Sequence, residues 1–250
     1  MSENQKKIWV TGASSGIGKA VAEKFAREGW KVAVSARRKE LLDEMAKNDN
    51  IFSFPLDVTK FENCKSTFSQ IREQLGDIDI CFLCSGTYDP KKEQELNLEE
   101  NKFVMDVNYF GTLNCVKAVE KYFKEKKAGH ISIVSSIASY RGLPNSSGYG
   151  PSKAALTNFA ESIYFDFKKY DVRVSVTSPG FIKTPLTDKN EFPMPFLRSP
   201  EFAADKVYNG LVKSRSFEIH FPKQLTMTLK FLRILPYRVY LFLVDKLVKR

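Results

Sequence analysis

Short apolar runs alternate along the chain with longer segments in which apolar residues recur every three or four positions. This alternation is typical of strands and amphipathic helices that follow one another. The predicted strands are 8–10, 31–36, 51–55, 79–83, 130–135, 173–177 and 218–221. The predicted helices are 16–28, 38–47, 59–75, 98–126, 149–169 and 200–214.

The predicted strands are almost entirely apolar, which is typical of a parallel sheet covered by helices on both faces. Because parallel crossovers are right-handed, the order predicts an α/β fold. It is a Rossmann-like doubly wound parallel sheet of about seven strands. Ligands of such sheets bind beyond the carboxyl ends of the strands, so the pattern also predicts where a site lies.

Two segments depart from the alternation. Residues 180–199 form a long stretch with three prolines and the aromatic residues Phe181, Phe192 and Phe196. A loop of that length and apolar content favours a lid over a ligand. Residues 223–250 follow the last strand. We therefore predict one domain over 1–222, with its lid region within 180–214, and a C-terminal extension over 223–250.

Composition excludes several classes of protein. The 250 residues are 43% hydrophobic and 27% charged, which is unlike a disordered or low-complexity chain. The formal net charge of +10 could indicate a nucleic-acid partner. However, the basic residues are spread out, and no aromatic RNA-binding motif accompanies them. We therefore predict no nucleic-acid partner.

Cysteine usage indicates a reducing compartment. The chain has four cysteines and shows no secretory signal, because residues 1–7 are polar and the apolar run 8–10 is short. The Cys81-x-x-Cys84 spacing would fit a redox or zinc site. Apolar neighbours and the absence of a second cysteine pair favour a buried strand instead, so no metal is predicted. The cysteines are Cys64, Cys81, Cys84 and Cys115.

A glycine-rich loop joins the first predicted strand to the first helix. Gly12, Gly16 and Gly18 permit a tight turn and bring backbone N–H groups to a helix N-terminus, where a pyrophosphate can bind. A plain strand-to-helix turn is the alternative. Because the loop opens a β-α-β unit, the context favours dinucleotide binding.

The residues after the second and third strands concern the choice of cofactor. Arg37 and Arg38 follow the second strand where an acid would bind ribose hydroxyls, which favours NADP(H) over NAD(H). A solvated basic start of a helix is the alternative. Asp57 could accept a hydrogen bond from the adenine amine or cap the helix near Thr59, and residue type alone leaves both open.

Several motifs together resemble the short-chain dehydrogenase/reductase family, in its compact branch of about 250 residues. The resemblance covers residues 8 to about 221 and implies homodimers or homotetramers, assembled through helices 98–126 and 149–169. The matching residues are Thr11-Gly12-x3-Gly16-x-Gly18, Asp57, Asn108, Ser136, Tyr149-x3-Lys153, Pro179-Gly180 and Thr184.

The expected catalytic residues are Asn108, Ser136, Tyr149 and Lys153. Tyr149 and Lys153 share one helix face, and the ammonium is expected to lower the pKa of Tyr149 so that it donates a proton to an alkoxide. Ser136 is expected to orient the substrate oxygen. The resemblance implies a water-mediated link from Asn108 to Lys153. An ordinary strand-end hydroxyl and a helix-interior Asn are the alternatives.

The resemblance also implies the cofactor-binding set, with Lys153 on the nicotinamide ribose and Thr184 on the carboxamide. The family's Asn-Ala-Gly element is replaced by Cys84-Ser85-Gly86, from which we expect an effect on stability and none on chemistry. A weakened cofactor site stays open. The set is Gly12, Ser14, Ser15, Gly16, Ile17, Gly18, Arg37, Arg38, Asp57, Val58, Gly86, Tyr149, Lys153, Pro179, Gly180, Ile182 and Thr184.

The C-terminal extension carries seven basic residues and one acid, Asp245. Charges and Pro236 interrupt it too often for a transmembrane span. The pattern predicts two amphipathic helices that lie in a membrane interface or pack on the body or at a subunit contact. On the first helix, one face would consist of Leu225, Leu229 and Leu232. On the second helix, the apolar stripe would consist of Tyr237, Leu241, Val244 and Leu247 or Val248.

The sequence therefore predicts an NADP-dependent oxidoreductase that reversibly reduces a ketone or aldehyde to an alcohol, with an apolar substrate. One alternative is a membrane-associated reductase of long-chain keto lipids. Another is a catalytically idle NADP(H)-binding sensor or interaction protein. The expected location is the cytoplasm, either free or at the inner face of a membrane.

Overall fold

Seven parallel strands form one sheet in the computed structural model, which describes residues 5–248 and side chains up to residue 246. The order is β3-β2-β1-β4-β5-β6-β7, so the chain reverses direction across the sheet between β1 and β4. This confirms the predicted doubly wound fold. The strands are β1 (Lys7–Thr11), β2 (Lys31–Ser35), β3 (Ile51–Ser53), β4 (Ile80–Leu83), β5 (Gly129–Val134), β6 (Val172–Pro179) and β7 (Glu218–Phe221).

Helices connect these strands and cover both faces. The predicted helix 98–126 is divided into α4 and α5 by a π-helical turn over Asp106–Phe110, and a second such turn over Asn209–Lys213 follows α7. The helices are α1 (Gly16–Arg27), α2 (Lys39–Met45), α3 (Phe61–Leu75), α4 (Leu98–Met105), α5 (Gly111–Lys126), α6 (Tyr149–Lys168), α7 (Pro200–Tyr208), α8 (Lys223–Ile234) and α9 (Tyr237–Val248).

Two apolar cores explain why the strands lack polar alternation. Trp9 of β1 packs with residues of α3, α5 and α6 on one face of the sheet. Its neighbours Ile8 and Val10 pack with residues of α1 and α7 on the other face. All three side chains are fully buried, so both sides of the strand need apolar residues.

The Cys81-x-x-Cys84 pair does not form a dithiol site. Cys81 packs in one core and Cys84 against the other, and all four cysteines are free thiols. Cys64 and Cys115 bring their sulfurs to 3.8 Å, again as buried thiols. Within residues 5–248, no group of three or more His, Cys, Asp or Glu side chains is placed to hold a metal ion.

The extension forms the two predicted helices, but α9 packs by a face that matches the predicted stripe only at Val244. Tyr240 and Val244 are buried, whereas Tyr237 and Leu241 are 76% and 60% exposed. The cause is a hydrogen bond of 2.6 Å that the Tyr240 hydroxyl donates to the Gly142 carbonyl.

The predicted stripe of α9 also included Leu247 or Val248, whose side chains lie outside the described part of the structure. Across the described part of the chain, no helix is long and apolar enough to cross a bilayer.

Candidate active site

A cavity of about 430 Å³ opens at the carboxyl ends of β1, β2, β4, β5 and β6, where the strand order reverses. It is the position that a doubly wound sheet predicts for a ligand. Fifteen of the residues predicted to bind a cofactor line it: Gly12, Ser14, Ser15, Gly16, Ile17, Gly18, Arg37, Arg38, Asp57, Val58, Gly86, Tyr149, Lys153, Pro179 and Thr184.

The glycine-rich loop lies at one end of this cavity, where its backbone packs closely against the backbone that follows β4. Gly12 and Gly16 have φ angles of +67° and +56°, which side chains disfavour. A Cβ at Gly12 would lie 2.7 Å from the Cys84 carbonyl oxygen. Ser15 provides no side-chain cap to α1, so the N–H groups of that first turn suit an anionic ligand.

Arg38 lies directly against this loop. Its guanidinium donates to the Ser14 hydroxyl at 2.8 and 3.2 Å and to the Ser15 hydroxyl at 2.9 Å. The arrangement places a fixed positive charge at the start of α1, with Arg37 also lining the cavity. Together with the open helix N-terminus, these groups fit the phosphates of a dinucleotide.

Asp57 takes part in a local turn as well as lining the cavity. Its Oδ1 accepts from the Thr59 backbone N–H at 3.0 Å and from the Thr59 hydroxyl at 2.8 Å. Burial raises its pKa, but these bonds and the charge of Arg37 lower the pKa overall. The helix itself starts two residues later, at Phe61. Asp57 therefore closes a turn that precedes the helix and does not cap the helix itself. Its contact with the adenine amine stays a prediction.

Tyr149 and Lys153 line the other end of the cavity, and Ser136 lies beside Tyr149. The Ser136 side chain interacts with the Tyr149 phenol and lowers its pKa. Lys153 is 4% exposed, and its Nζ lies 5.6 Å from the centroid of the Tyr149 ring. The ammonium donates to the Val134 carbonyl at 2.9 Å. A hydroxyl pair and a buried cation thus face one space, which suits proton donation to a substrate oxygen.

The pKa of Tyr149 differs from the expected one. Burial raises it to about 12, and the contact with Ser136 lowers it. The expected net lowering is therefore not found, because desolvation of the phenol, together with Cys84 and Glu93, outweighs the lowering contact. Burial also lowers the pKa of Lys153 to about 8.

Asn108 is fully buried in the π-helical turn between α4 and α5. Its Oδ1 accepts from the Thr87 N–H at 2.7 Å, and its Nδ2 donates to the Thr87 carbonyl and the Ser152 hydroxyl. The side chain therefore joins the loop after β4 to α6, beside Lys153. A π-helical turn of this kind often lies at a functional site. The predicted water-mediated link to Lys153 stays a prediction.

Two predicted cofactor residues lie outside the cavity lining. The Ile182 side chain is 2% exposed in an apolar core, and its carbonyl accepts from the Thr187 hydroxyl. Gly180 lies under the extension, where a Cβ would come within 3.0 Å of Leu225. Both residues hold the start of the lid segment rather than contribute a side chain to the site.

Sequence reasoning missed Glu93 and Tyr88, which hold Tyr149 in place. Glu93 is 3% exposed and accepts from the N–H groups of Gly148 and Tyr149 at 2.8 and 3.1 Å. Burial raises the pKa of Glu93. The Tyr88 ring stacks on that of Tyr149 at 4.6 Å between centroids. Both lie in a loop without periodicity, so no local pattern marked them.

The Cys84-Ser85-Gly86 element keeps its backbone in place by another contact. The Thr11 hydroxyl accepts from the N–H groups of Cys84 and Ser85 at 3.1 and 3.3 Å. Burial raises the pKa of the Cys84 thiol to about 11, so it adds no charge beside Lys153. The strand end is thus anchored without a carboxamide, as the expectation of intact chemistry requires.

Comparisons with known proteins agree with this geometry. A model of the short chain dehydrogenase family matches residues 6–193. An uncharacterized oxidoreductase of Myxococcus xanthus is 34% identical over 232 residues, which is 91% of each chain. The 3-dehydrosphinganine reductase of Danio rerio is 34% identical over 192 residues, which is 73% of this chain and 58% of that protein.

A short-chain dehydrogenase from Streptomyces avermitilis has the same fold. The TM-score is 0.84 at 24% identity, over 98% of both chains. The sequence matches over most of the chain leave one assignment. The chain belongs to the short-chain dehydrogenase family and is an oxidoreductase.

Proposed function

We propose that this protein is an NADPH-dependent reductase of an apolar ketone or aldehyde. The observation that carries the proposal is that Tyr149 and Lys153, with Ser136 beside Tyr149, lie at the same cavity as the basic glycine-loop end. The cofactor, when bound, supplies the hydride. A member of the family with no activity would not need a buried lysine beside a buried tyrosine, since both groups are costly to desolvate.

Tyr149 acts as the proton donor to the oxygen of the substrate. A phenol with a pKa of about 12 keeps its proton at neutral pH. An alkoxide is far more basic, because its conjugate acid has a pKa near that of water, ~15.7. Donation is therefore downhill, and the phenol carries at neutral pH the proton that reduction needs. Ser136 donates to the same oxygen and orients it.

The preference for NADPH rests on Arg37 and Arg38. Both line the cavity at the loop end, and Arg38 is already oriented by Ser14 and Ser15. A 2′-phosphate there would receive charge-assisted hydrogen bonds that a ribose hydroxyl does not form. The strand that precedes them ends in Ser35, so no carboxylate is available for NADH.

A keto lipid is our second candidate for the substrate class. Phe181 of the lid segment packs near its partner Phe192, with ring centroids 6.1 Å apart, and contacts the core beneath α8. The relative from Danio rerio bears the name of a reductase of a long-chain keto compound. Both observations favour a long apolar substrate over a small polar one.

The helices predicted to mediate assembly carry exposed aromatic residues. Phe103, Phe110 and Phe165 are 43%, 50% and 67% exposed on α4, the π-helical turn and α6. We infer a homodimer or homotetramer through these faces. The four free thiols fit a reducing compartment such as the cytoplasm. The division at residue 222 into a catalytic domain and an extension stays part of this proposal.

The proposed function is tested by NADPH oxidation against a panel of carbonyl compounds. The panel runs from small polar ketones and aldehydes to long-chain keto esters and keto lipids. We expect kcat/KM to rise with chain length, by up to roughly fourfold for each added methylene that is buried. Tight NADPH binding without turnover on any compound would instead favour the sensor alternative.

The pH profile provides a separate test. Lys153 has a pKa of about 8, so its ammonium is present below that pH and is lost above it. We expect kcat/KM for reduction to be level below about pH 8 and to fall roughly tenfold per unit above it. Tyr149 keeps its proton throughout this range. A Lys153→Arg variant keeps its charge, so the alkaline limb should move up; a limb that stays at pH 8 would exclude Lys153.

A further inference from the structure

The two helices of the extension expose a second apolar face. Met227, Phe231 and Ile234 are spaced by one or two turns on α8 and are 55%, 61% and 76% exposed. On α9, Tyr237, Leu241 and Phe242 are also exposed. We call these six side chains the outer face. Large apolar residues clustered in this way mark an interaction surface.

The opposite faces of both helices are already occupied. Leu225 and Leu229 of α8 pack on Ile137 and Tyr140, which follow Ser136 in the chain. Lys230 of the same helix is ion-paired with Glu218, which also accepts from the Tyr140 hydroxyl at 2.6 Å. These contacts fix the rotation of α8, so its outer face cannot turn inward.

Arg141 fixes the junction between α8 and α9. Its guanidinium lies 4.4 Å and 4.0 Å from the ring centroids of Tyr237 and Tyr240. It also donates to the carbonyls of Leu232 and Leu235 at 3.1 and 2.7 Å, which end α8. Both helices are therefore held on the body, with the side chains of the outer face left exposed.

Basic residues accompany the outer face. Residues 223–250 contain seven lysines and arginines against Asp245. Arg233, Arg238 and Lys246 are exposed among the apolar residues. The Lys246 ammonium lies 4.7 Å from the centroid of the Phe242 ring. A basic amphipathic surface of this kind suits acyl chains bordered by anionic headgroups.

We propose that the outer face docks this protein onto an anionic lipid surface. A second copy of the chain is the competing occupant. A twofold contact would place the same patch against itself and bring the excess of positive charge on each side together. An anionic bilayer neutralises that charge and covers the apolar side chains as well, so the charge decides between the two.

The inner face of α8 packs on the start of the lid segment, which leads into the cavity lining at Thr184. Leu225 of α8 contacts Gly180, where β6 ends, and Phe181 packs in the same cluster. If the proposed function holds, docking brings the substrate opening to the bilayer and supplies it with a carbonyl lipid. The docking itself does not depend on the reaction, so each can fail without the other.

Vesicle sedimentation of the full chain tests the proposal. The vesicles are phosphatidylcholine alone, or phosphatidylcholine with roughly one third phosphatidylglycerol. We expect binding to the mixed vesicles, weakened by salt, and at least roughly tenfold weaker binding to phosphatidylcholine. Combined Phe231→Ser, Ile234→Ser and Leu241→Ser should reduce the partition coefficient roughly 100-fold. Arg238→Ala with Lys246→Ala should reduce it roughly tenfold, on the mixed vesicles only.

A matched control replaces exposed apolar residues elsewhere, by Leu41→Ser with Phe61→Ser, and should bind like the wild type. Melting curves and turnover of a short soluble ketone show that each variant is folded. Absence of binding to mixed vesicles, or equal binding by the triple serine variant, overturns the proposal. So does a serine variant that only lowers the oligomer mass, which would make the outer face a subunit contact.

Discussion

Replacing Tyr149 by phenylalanine is expected to lower kcat for carbonyl reduction by roughly 10²–10⁴-fold. The ring and its stacking on Tyr88 remain, so the change removes only the hydroxyl beside Ser136. NADPH affinity should stay within roughly threefold, because the lost interaction is made in the transition state. Single-turnover rates and fluorescence titration with NADPH measure the two quantities separately.

Tyr88→Phe is the matched control for this prediction. It removes a hydroxyl from the other ring of the same stack, and that hydroxyl donates to the Asn145 carbonyl at 2.7 Å rather than to the site. We expect a loss of less than roughly tenfold in kcat. Equal losses in both variants would show that the ring stack, and not the Tyr149 proton, carries the effect.

The strands and the glycine loop could be predicted from sequence because their signals are local. A strand buried on both faces must be apolar at successive positions, as Ile8, Trp9 and Val10 are. The positive φ angles at Gly12 and Gly16 likewise require glycine wherever the loop occurs. These constraints act within a few residues, and the sequence pattern shows them directly.

Other features depend on contacts between distant segments. The π-helical turn at Asn108 forms where the side chain binds Thr87 and Ser152, and helical spacing alone does not reveal it. Glu93 gains its role only because its loop reaches the first turn of α6. The raised pKa of Tyr149 comes from burial, which residue type does not give. For α9, contacts of Arg141 and Tyr240 shift the packing face away from the apolar stripe, of which Val244 alone among the described side chains is buried.

Arg38→Ala is expected to lower the preference for NADPH over NADH by roughly 100-fold. The reason is that a charge-assisted bond to a 2′-phosphate is lost, whereas no equivalent bond to NADH exists. Arg37→Ala should act in the same direction, and the double variant should lose roughly 10³-fold or more if both guanidinium groups bind the phosphate. The measurement is the ratio of kcat/KM for the two cofactors, with one carbonyl substrate held at saturation.

The ratio matters because Arg38 also supports the glycine loop. Its hydrogen bonds to Ser14 and Ser15 help to hold the segment that faces any dinucleotide, so its loss could weaken both cofactors. Ser14→Ala separates the two effects, since it removes the contact with Arg38 and leaves the charge. We expect this variant to change both cofactors by the same factor of roughly two to ten, with an unaltered ratio. If Arg38→Ala does the same, Arg38 is a support for the loop and the assignment of NADPH is wrong.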